Sequence, residues 1–416
     1  MGPDVLELAD RVWRGEFEGS TDALFASGDL VEVAEGAAFL PTFANVSAFA
    51  SGDGLVLVDT GSSFVASQVH RQIRAWSAER LNIAIYSHGH IDHVFGLPPF
   101  EEEAATNGWN APRVVAHEGV AGRFDRYVLT AGYNAAINRR QFQLPDLVWP
   151  TEYRFPDETY RETLDLDVGG IRFELHHARG ETDDHTWTWV PDRRVLCTGD
   201  LFIWACPNAG NPQKVQRYPR EWAQALREMA ALAPEVLLPG HGLPIMGADR
   251  IREALTDTAA LLESLHDQTV ALMNEGARLD AIIHTVEPPM ELMERPYLQP
   301  IYDEPEFIVR NVWRLYGGWY DGNPATLKPA PDAEVAAEVA ALAGGPARLA
   351  DRASALAEDG NLRLACHLVE MAGLAAPHNE EIARTRSEIY QRRSEVETSI
   401  MAKGIYAAEA REDIER

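Results

Sequence analysis

The sequence predicts an α/β domain followed by an all-α region, and three observations carry that expectation. From about residue 36 to 245, short apolar runs alternate with turn signals. Beyond about Asp249 the chain turns to long Ala-, Leu- and Glu-rich stretches. Three of the 13 histidines fall together at 88, 90 and 93, directly after one of the apolar runs. At 416 residues the chain exceeds one ordinary domain. The expected domains are therefore 1–249 and 250–416.

The strands expected in the first region are Leu55–Asp59, Asn82–Tyr86, Arg113–Ala116, Ile171–His177, His185–Val190, Val195–Thr198 and Glu235–Leu238. Several end in Gly or Asp and run into polar or helical stretches, as strands do when they feed functional loops. Trp187 and Trp189, separated by Thr188, have the period-two alternation of a half-buried strand. Helices are expected over Phe64–Ala78 and Pro219–Leu232. Past the boundary, Ile251–Arg278 spaces Ile251, Leu255, Ala259, Leu262 and Leu265 along one helix face. Glu287–Pro305 holds five prolines and reads as a linker or extended arm. Phe307–Tyr320 reads as helix up to Gly317-Gly318. From Asp332 onward, Gly344-Gly345-Pro346, Asp359-Gly360-Asn361 and Ala376-Pro377-His378 punctuate helical hairpins. Asn361–Gly373 with Asn379–Arg393 has the look of one tetratricopeptide-like pair, which is not an array.

Composition excludes several classes. Lys and Arg number 37 against 64 Asp and Glu, a net charge of −27. That field repels phosphate backbones and anionic lipid, so nucleic acid is not an expected partner. An anionic small molecule remains compatible, because a dimetal site can oppose the global field locally. Cys197, Cys206 and Cys366 are too few and scattered for a disulfide framework or a Cys-rich zinc site. The opening MGPDVLELADRVWRGE lacks the basic and apolar regions of a signal peptide, and no window approaches 18 apolar residues. A cytoplasmic protein without a membrane span is the expectation.

The chemistry gathers at Ser87-His88-Gly89-His90-Ile91-Asp92-His93. Ligands at i and i+2 after a strand point the same way, and Asp92-His93 at the following turn reaches a second point. One junction thus offers four ligand groups to two adjacent ions, and imidazole with carboxylate suits zinc or another borderline divalent metal. His241 follows the strand Glu235–Leu238 in Pro239-Gly240-His241-Gly242. Asp200 ends the run Val195–Thr198-Gly199, where a carboxylate would bridge both ions. Alone, each would be an ordinary turn histidine or helix cap; beside the cluster each reads as a ligand. Two such ions lower the pKa of a water between them to about 7, so hydroxide at neutral pH, and with it hydrolysis, is the expected chemistry.

The cluster, with Asp200 and His241, resembles the metallo-β-lactamase superfamily, whose αββα sandwich is the implied fold. Hydrolases of that fold usually carry Gly-His in the turn where this chain has Gly180-Glu181. A Glu there, 19 residues before the bridging position, is similar to the alkyl sulfatases. His266-Asp267-Gln268-Thr269 and Leu315-Tyr316-Gly317-Gly318-Trp319-Tyr320-Asp321-Gly322-Asn323-Pro324-Ala325 look like that branch too, the latter like its helical dimerisation domain. The resemblance implies His88, His90 and Glu181 on one metal, Asp92, His93 and His241 on the other, and Asp200 between. It also implies two Zn²⁺ (other divalent ions fitting as well), a homodimer, and a small substrate with an alkyl chain, an anionic head group being compatible.

Departures matter as much. Asp200 stands in Thr-Gly-Asp where those sulfatases share Ala-Glu-Asn. Leu201–Tyr218 lacks the Leu-Arg-Gly-Ala stretch whose arginine the family uses to grip sulfate, and the 416 residues include no sterol-carrier-like domain. Arg179, Lys214, Arg217 and Tyr133 are the alternative candidates for holding an anionic head group. Asp92 is expected to double as proton acceptor, and Asp59 to support the metal loop from behind. One of His176, His177 and His185 is a candidate to face the substrate. Arg126–Phe142 is expected to close the pocket. Alkyl sulfate is the leading substrate; a lactone, thioester or other carboxylic ester is the rival. Iron-dependent redox chemistry and a non-catalytic binding role are the readings from other classes.

Overall fold

The computed structural model describes residues 5–16 and 23–411. Contacts divide the chain into two compact units, Met1–Ala131 with Pro150–Gly318, and Gly132–Trp149 with Trp319–Arg416.

In the first unit, β1 (Val31–Ala34), β2 (Ala37–Leu40), β3 (Val46–Ser51), β4 (Gly54–Val58), β5 (Leu81–Ile85), β6 (Arg113–His117) and β7 (Glu158–Tyr160) form one sheet in chain order. It is antiparallel from β1 to β4 and parallel from β4 to β7. The second sheet holds β8 (Thr163–Val168), β9 (Ile171–His177), β10 (Thr186–Val190), β11 (Val195–Ile203), β12 (Val236–His241) and β13 (Ile245–Met246), again in chain order. Only β11 and β12 run parallel there.

The side-chain alternation of β4 explains the layering. Val56 and Val58 join Phe49, Phe173, Trp187 and Leu196 between the sheets, with Phe49 edge-on to Phe173 at 5.4 Å. Leu55 and Leu57 turn the other way, to Val69 and Ile73 of helix Ala66–Trp76 and Phe100 of helix Pro98–Asn107. A strand buried on both faces has no polar side to show, which is why GLVLV is apolar throughout. Helices Pro219–Ala231 and Ala248–Asn274 cover the second sheet, packing on β11 to β13 and on each other. The layers are α, β, β, α. Each Leu or Val so buried contributes roughly 1.5–3 kcal/mol relative to an exposed one.

Several expectations change in detail. Trp187 and Trp189 do lie on one strand, but all of β10 is buried, because it is interior in its sheet and Thr186 and Thr188 are covered as well. The proline-rich Glu287–Pro305 is no free linker: Tyr297 and Leu298 are buried, and Tyr297 stacks on Trp13 at 5.2 Å and donates to Asp257 at 2.7 Å. Arg126–Phe142 is two helices, Gly119–Leu129 and Ala131–Phe142, and only its first part belongs to the first unit. Among the described residues no helix is long and apolar enough to cross a membrane.

The second unit is helical. Asp332–Ala343, Pro346–Glu358, Leu362–Ala375, Glu380–Val396 and Ile400–Glu409 pack around Ala353, Leu356, Val369 and Ile389, and around Leu349, Ala372 and Ile382. The last three start on side-chain caps. Asn361 accepts from Leu364 N–H, Asn379 from Glu381 and Ile382 N–H, and Ser399 from Ala402 N–H.

Candidate metal centre

The C-terminal ends of β4, β5 and β12, the turn after β9 and the middle of β11 converge on one place. This is the edge of an open sheet where strand ends leave side chains and loops free for chemistry. β5 delivers His88–His93, whose last residues form the short helix Ile91–Val94. That loop is stitched to the end of β4: Thr60 N–H and Oγ1 both donate to the His93 carbonyl, at 2.8 and 3.0 Å. The junction requires glycine at 96, where a Cβ would stand 1.7 Å from the Thr60 oxygen.

All seven sequence-predicted ligands meet here, in two groups. His88, His90, Glu181 and Asp200 form one; Asp92, His93 and His241 form the other. In the first, Glu181 Oε2 is 3.5 Å from His88 Nε2 and 3.3 Å from His90 Nδ1, and Asp200 Oδ2 is 3.7 Å from His88 Nε2. In the second, Asp92 Oδ2 is 3.7 Å from His93 Nε2 and 3.5 Å from His241 Nε2. Asp200 touches both groups, with Oδ1 3.3 Å from His93 Nε2 and Oδ2 3.3 Å from His241 Nε2.

These spacings test whether a cation fits. Donors about 2.1 Å from a common tetrahedral ion lie about 3.4 Å from one another. Moreover, His88 Nε2, His93 Nε2, Glu181 Oε2 and Asp200 Oδ1 are buried and make no hydrogen bond among the described residues. Buried polar atoms are otherwise almost always paired, so four orphans converging on one point fit two divalent cations.

Hydrogen bonds fix which nitrogens are offered. Asp59 is held at φ 60° after β4; it accepts from Ser87 N–H (Oδ1, 2.7 Å), from Ser87 Oγ–H (Oδ2, 2.7 Å) and from His93 Nδ1 (Oδ2, 2.8 Å). Ser87 Oγ also lies 3.0 Å from His88 Nδ1. With its proton given to Asp59, Ser87 Oγ accepts from His88 Nδ1–H, so both His88 and His93 present a bare Nε2. His241 Nδ1 donates to the Phe43 carbonyl, leaving its Nε2 to the site as well. Asn45 shapes that turn, donating to the Pro239 and Gly242 carbonyls at 3.0 and 2.9 Å.

Charge follows burial and neighbours. Burial, then the other imidazoles, holds His88 well below the usual histidine range; burial, then Arg123 and Arg217, does the same for His90. Burial alone would raise Asp200, but His241 and His93 hold it well below the carboxylate range. Burial pushes Glu181 up to about 7 against the pull of Arg217. Against burial, Asp200, Asp59 and Asp92 hold His93 well above the usual histidine range, and Asp200 with Asp92 holds His241 above it, so without a cation these two imidazoles keep a proton in its place.

The expected anion grips fare unevenly. Lys214 is half-buried and near enough to Glu181 and Asp92 for their charges to act on it, and burial lowers its ammonium to about 8. Arg217 is turned into the protein: it is buried and donates to the carbonyl and carboxylate of Glu181. Arg179 is exposed and stacks on Tyr218 at 5.3 Å, and Tyr133 belongs to the second unit and is 63% exposed. Each of the three candidate histidines is engaged by neighbouring groups of the protein. His176 stacks on Trp187, His177 on His117, and His185 accepts from Asp200 N–H at 3.0 Å while stacking on His88.

Sequence reasoning missed Ser87, Asn208, Arg123 and Asp184. Asp184, buried and paired with Arg123 at 2.7 Å, accepts from Gly89 N–H at 3.2 Å and so pins the loop between its first two histidines. The Asp183-Asp184 pair beside Glu181 was the available signal. On the wall of the site, Tyr127 lies 6.4 Å from the His90 ring, and Phe43 stands edge-on to His241 at 5.3 Å and stacks on Phe25.

Two family models match the chain, that of the metallo-β-lactamase superfamily over residues 40–241 and that of alkyl sulfatase dimerisation over 278–415. A linear primary-alkylsulfatase of Pseudomonas sp. (strain ATCC 19151) is 28% identical over 353 residues, spanning 80% of this chain and 66% of the relative. The alkyl/aryl-sulfatase BDS1 of Saccharomyces cerevisiae is 24% identical, over 89% of this chain and 60% of its own length. The solved structure of the stereoselective inverting sec-alkylsulfatase Pisa1 from Pseudomonas sp. matches with a TM-score of 0.81 at 23% identity, covering 93% of this chain and 66% of that one. That likeness shows the fold. The chain therefore spans about two thirds or less of the length of these relatives.

Proposed function

We propose that this chain, which belongs to the metallo-β-lactamase superfamily and carries an alkyl sulfatase dimerisation region, hydrolyses alkyl sulfate esters at a site for two divalent cations. The observation that carries the reading is the convergence of seven donors in two groups joined by Asp200, with Glu181 among them. His88, His90 and Glu181 would hold one ion, Asp92, His93 and His241 the other, and Asp200 both; imidazole and carboxylate favour zinc. When bound, such a pair supplies Lewis acidity, for a water acidified to a pKa of about 7 and for the charge of the leaving sulfate.

The chain's own groups do the rest. Asp92 is the most open of the three carboxylates, its side chain 21% exposed against 8% for Asp200 and 1% for Glu181, so it is placed to accept a proton. Lys214 offers the sulfate a cation, and Phe43 with Tyr127 offers an alkyl group an apolar wall. The activities for which the relatives are named support the alkyl sulfate class. A homodimer through the second unit is part of the proposal, supported by the matched dimerisation region and by Trp319, 72% exposed there.

The test is release of inorganic sulfate from dodecyl sulfate by zinc-loaded protein, with a lactone and a thioester run alongside. Sulfate release is expected; silence on sulfate with turnover of a carboxylic ester would refute the substrate class while keeping the site. Lys214→Ala should raise KM for dodecyl sulfate about 10- to 100-fold, the weight of one charge-assisted hydrogen bond of roughly 1.5–3 kcal/mol. An unchanged KM would remove Lys214 from the anion grip.

A further inference from the structure

Glu181 is the ligand that departs from an all-histidine set around the first ion, and what surrounds it is unusual. Its side chain is 1% exposed, as is that of Arg217. Arg217 Nη2 donates to Glu181 Oε1 at 3.2 Å, and Arg217 Nη1 donates to the carbonyl of the same residue. Asn208 Nδ2 donates to the same Oε1. One carboxylate oxygen is thereby consumed. The other, Oε2, is unpartnered and lies between His88 and His90. Arg217 is itself anchored, since Asn311 on helix Pro305–Gly317 donates to its carbonyl at 3.0 Å and Gln216 donates to Asn311 Oδ1 at 3.0 Å.

We infer that Arg217, with Asn208, is a positioning residue that makes Glu181 a one-oxygen, charge-compensated metal ligand. Two consequences follow from the geometry. With Oε1 engaged, Glu181 can offer its ion one oxygen only, in the place an imidazole nitrogen would occupy. With the guanidinium paired to it, Glu181 adds no net charge to a centre that already holds Asp92, Asp200 and Asp59. A carboxylate buried without that partner carries an uncompensated charge, and so does an arginine left without its carboxylate. The two residues should therefore be exchangeable only together. The inference rests on the proposed dinuclear reading of the site.

Apo-protein titrated with zinc against a chromophoric chelator, with melting of the apo form followed alongside, tests this without any turnover assay. Wild type is expected to take two ions. Arg217→Met should weaken one of the two about 10- to 100-fold, the range for loss of a partner behind a ligand, and Glu181→His, which strands the buried guanidinium, should weaken it by at least about 10-fold. The double variant Glu181→His/Arg217→Met should recover both ions to within about threefold of wild type, because both unpaired charges are gone and a neutral donor stands at 181. Arg217→Lys keeps the charge but not the fork, and should fall between wild type and Arg217→Met; it serves if the methionine variant does not fold. A double variant no better than the worse single, or an Arg217→Lys variant indistinguishable from wild type, overturns the inference while the dinuclear reading stands. Fewer than two ions on wild type overturns that reading, and the inference with it.

Discussion

Asp200→Asn is expected to remain folded and to lose sulfate release by at least about 10³-fold, a barrier increase of about 4 kcal/mol. The size follows from where the carboxylate sits. Its two oxygens lie 3.3 Å from His93 and His241 and 3.7 Å from His88, so a single side chain serves both ligand groups. Asparagine has the same outline and keeps the backbone seat, in which Asp200 N–H donates to His185 and Gly240 leaves room that a Cβ would fill to 2.1 Å of Oδ1. It removes one negative charge and turns one acceptor into a donor. An amide nitrogen at the Oδ1 place faces His93, and one at the Oδ2 place faces His241 and His88 together, so either way at least one ligand nitrogen loses its oxygen neighbour and meets an N–H. Metal content should drop from two ions towards one, and melting temperature separates this from unfolding. A variant holding two ions with activity within tenfold of wild type would show that Asp200 is not the bridge.

The contrast between what the sequence disclosed and what it hid lies in distance along the chain. His88, His90, Asp92 and His93 occupy six positions, and their spacing alone reports shared chemistry. Asp200 and His241 could be added because each follows an apolar run; His241 does end β12, whereas β11 continues past Asp200 to Ile203 and carries it mid-strand, where a register shift follows Gly199. The buttresses carry no such signal. Arg123 finds Asp184 across 61 positions and Asn208 finds Glu181 across 27, whereas Asp59, which finds His93 across 34, was expected only through the family resemblance. Arg217 was visible as a cation near the site, yet only its burial against Glu181 reveals that it serves a ligand. The same limit applies to the fold. Strands that are apolar on both faces, such as β4 and β11, were legible; β1, β7, β8 and β13 lie at sheet edges, β2 has only four residues, and β3 mixes Ser and Ala into its apolar run, and these escaped notice. Tyr297 and Leu298 were masked by prolines that mark turns but say nothing of what packs between them.

Asp59→Asn should produce the second large loss, and by a different route, since Asp59 touches neither substrate nor metal. Aspartate here sits at φ 60°, in the left-handed region. Asparagine tolerates that region about as well as aspartate does, so the exchange isolates hydrogen bonding from backbone strain. The carboxylate accepts three bonds, from Ser87 N–H, Ser87 Oγ–H and His93 Nδ1–H. An asparagine can accept with only one of its two ends. If its amide nitrogen faces His93, donor meets donor, and the imidazole moves its proton to Nε2, which then has no lone pair for a metal. If it faces the Ser87 N–H, a buried donor is stranded at a cost of about 1–3 kcal/mol. The relay through Ser87 Oγ to His88 Nδ1 carries the disturbance into the first group as well. Affinity for at least one ion should fall about 10- to 100-fold, the range for loss of a partner behind a ligand. Excess zinc should therefore restore part of the activity of Asp59→Asn and none of that of Asp200→Asn. Titration with zinc while following sulfate release reads both at once. If excess zinc rescued neither variant, Asp59 would be acting on the reaction itself rather than on the tautomers of His88 and His93.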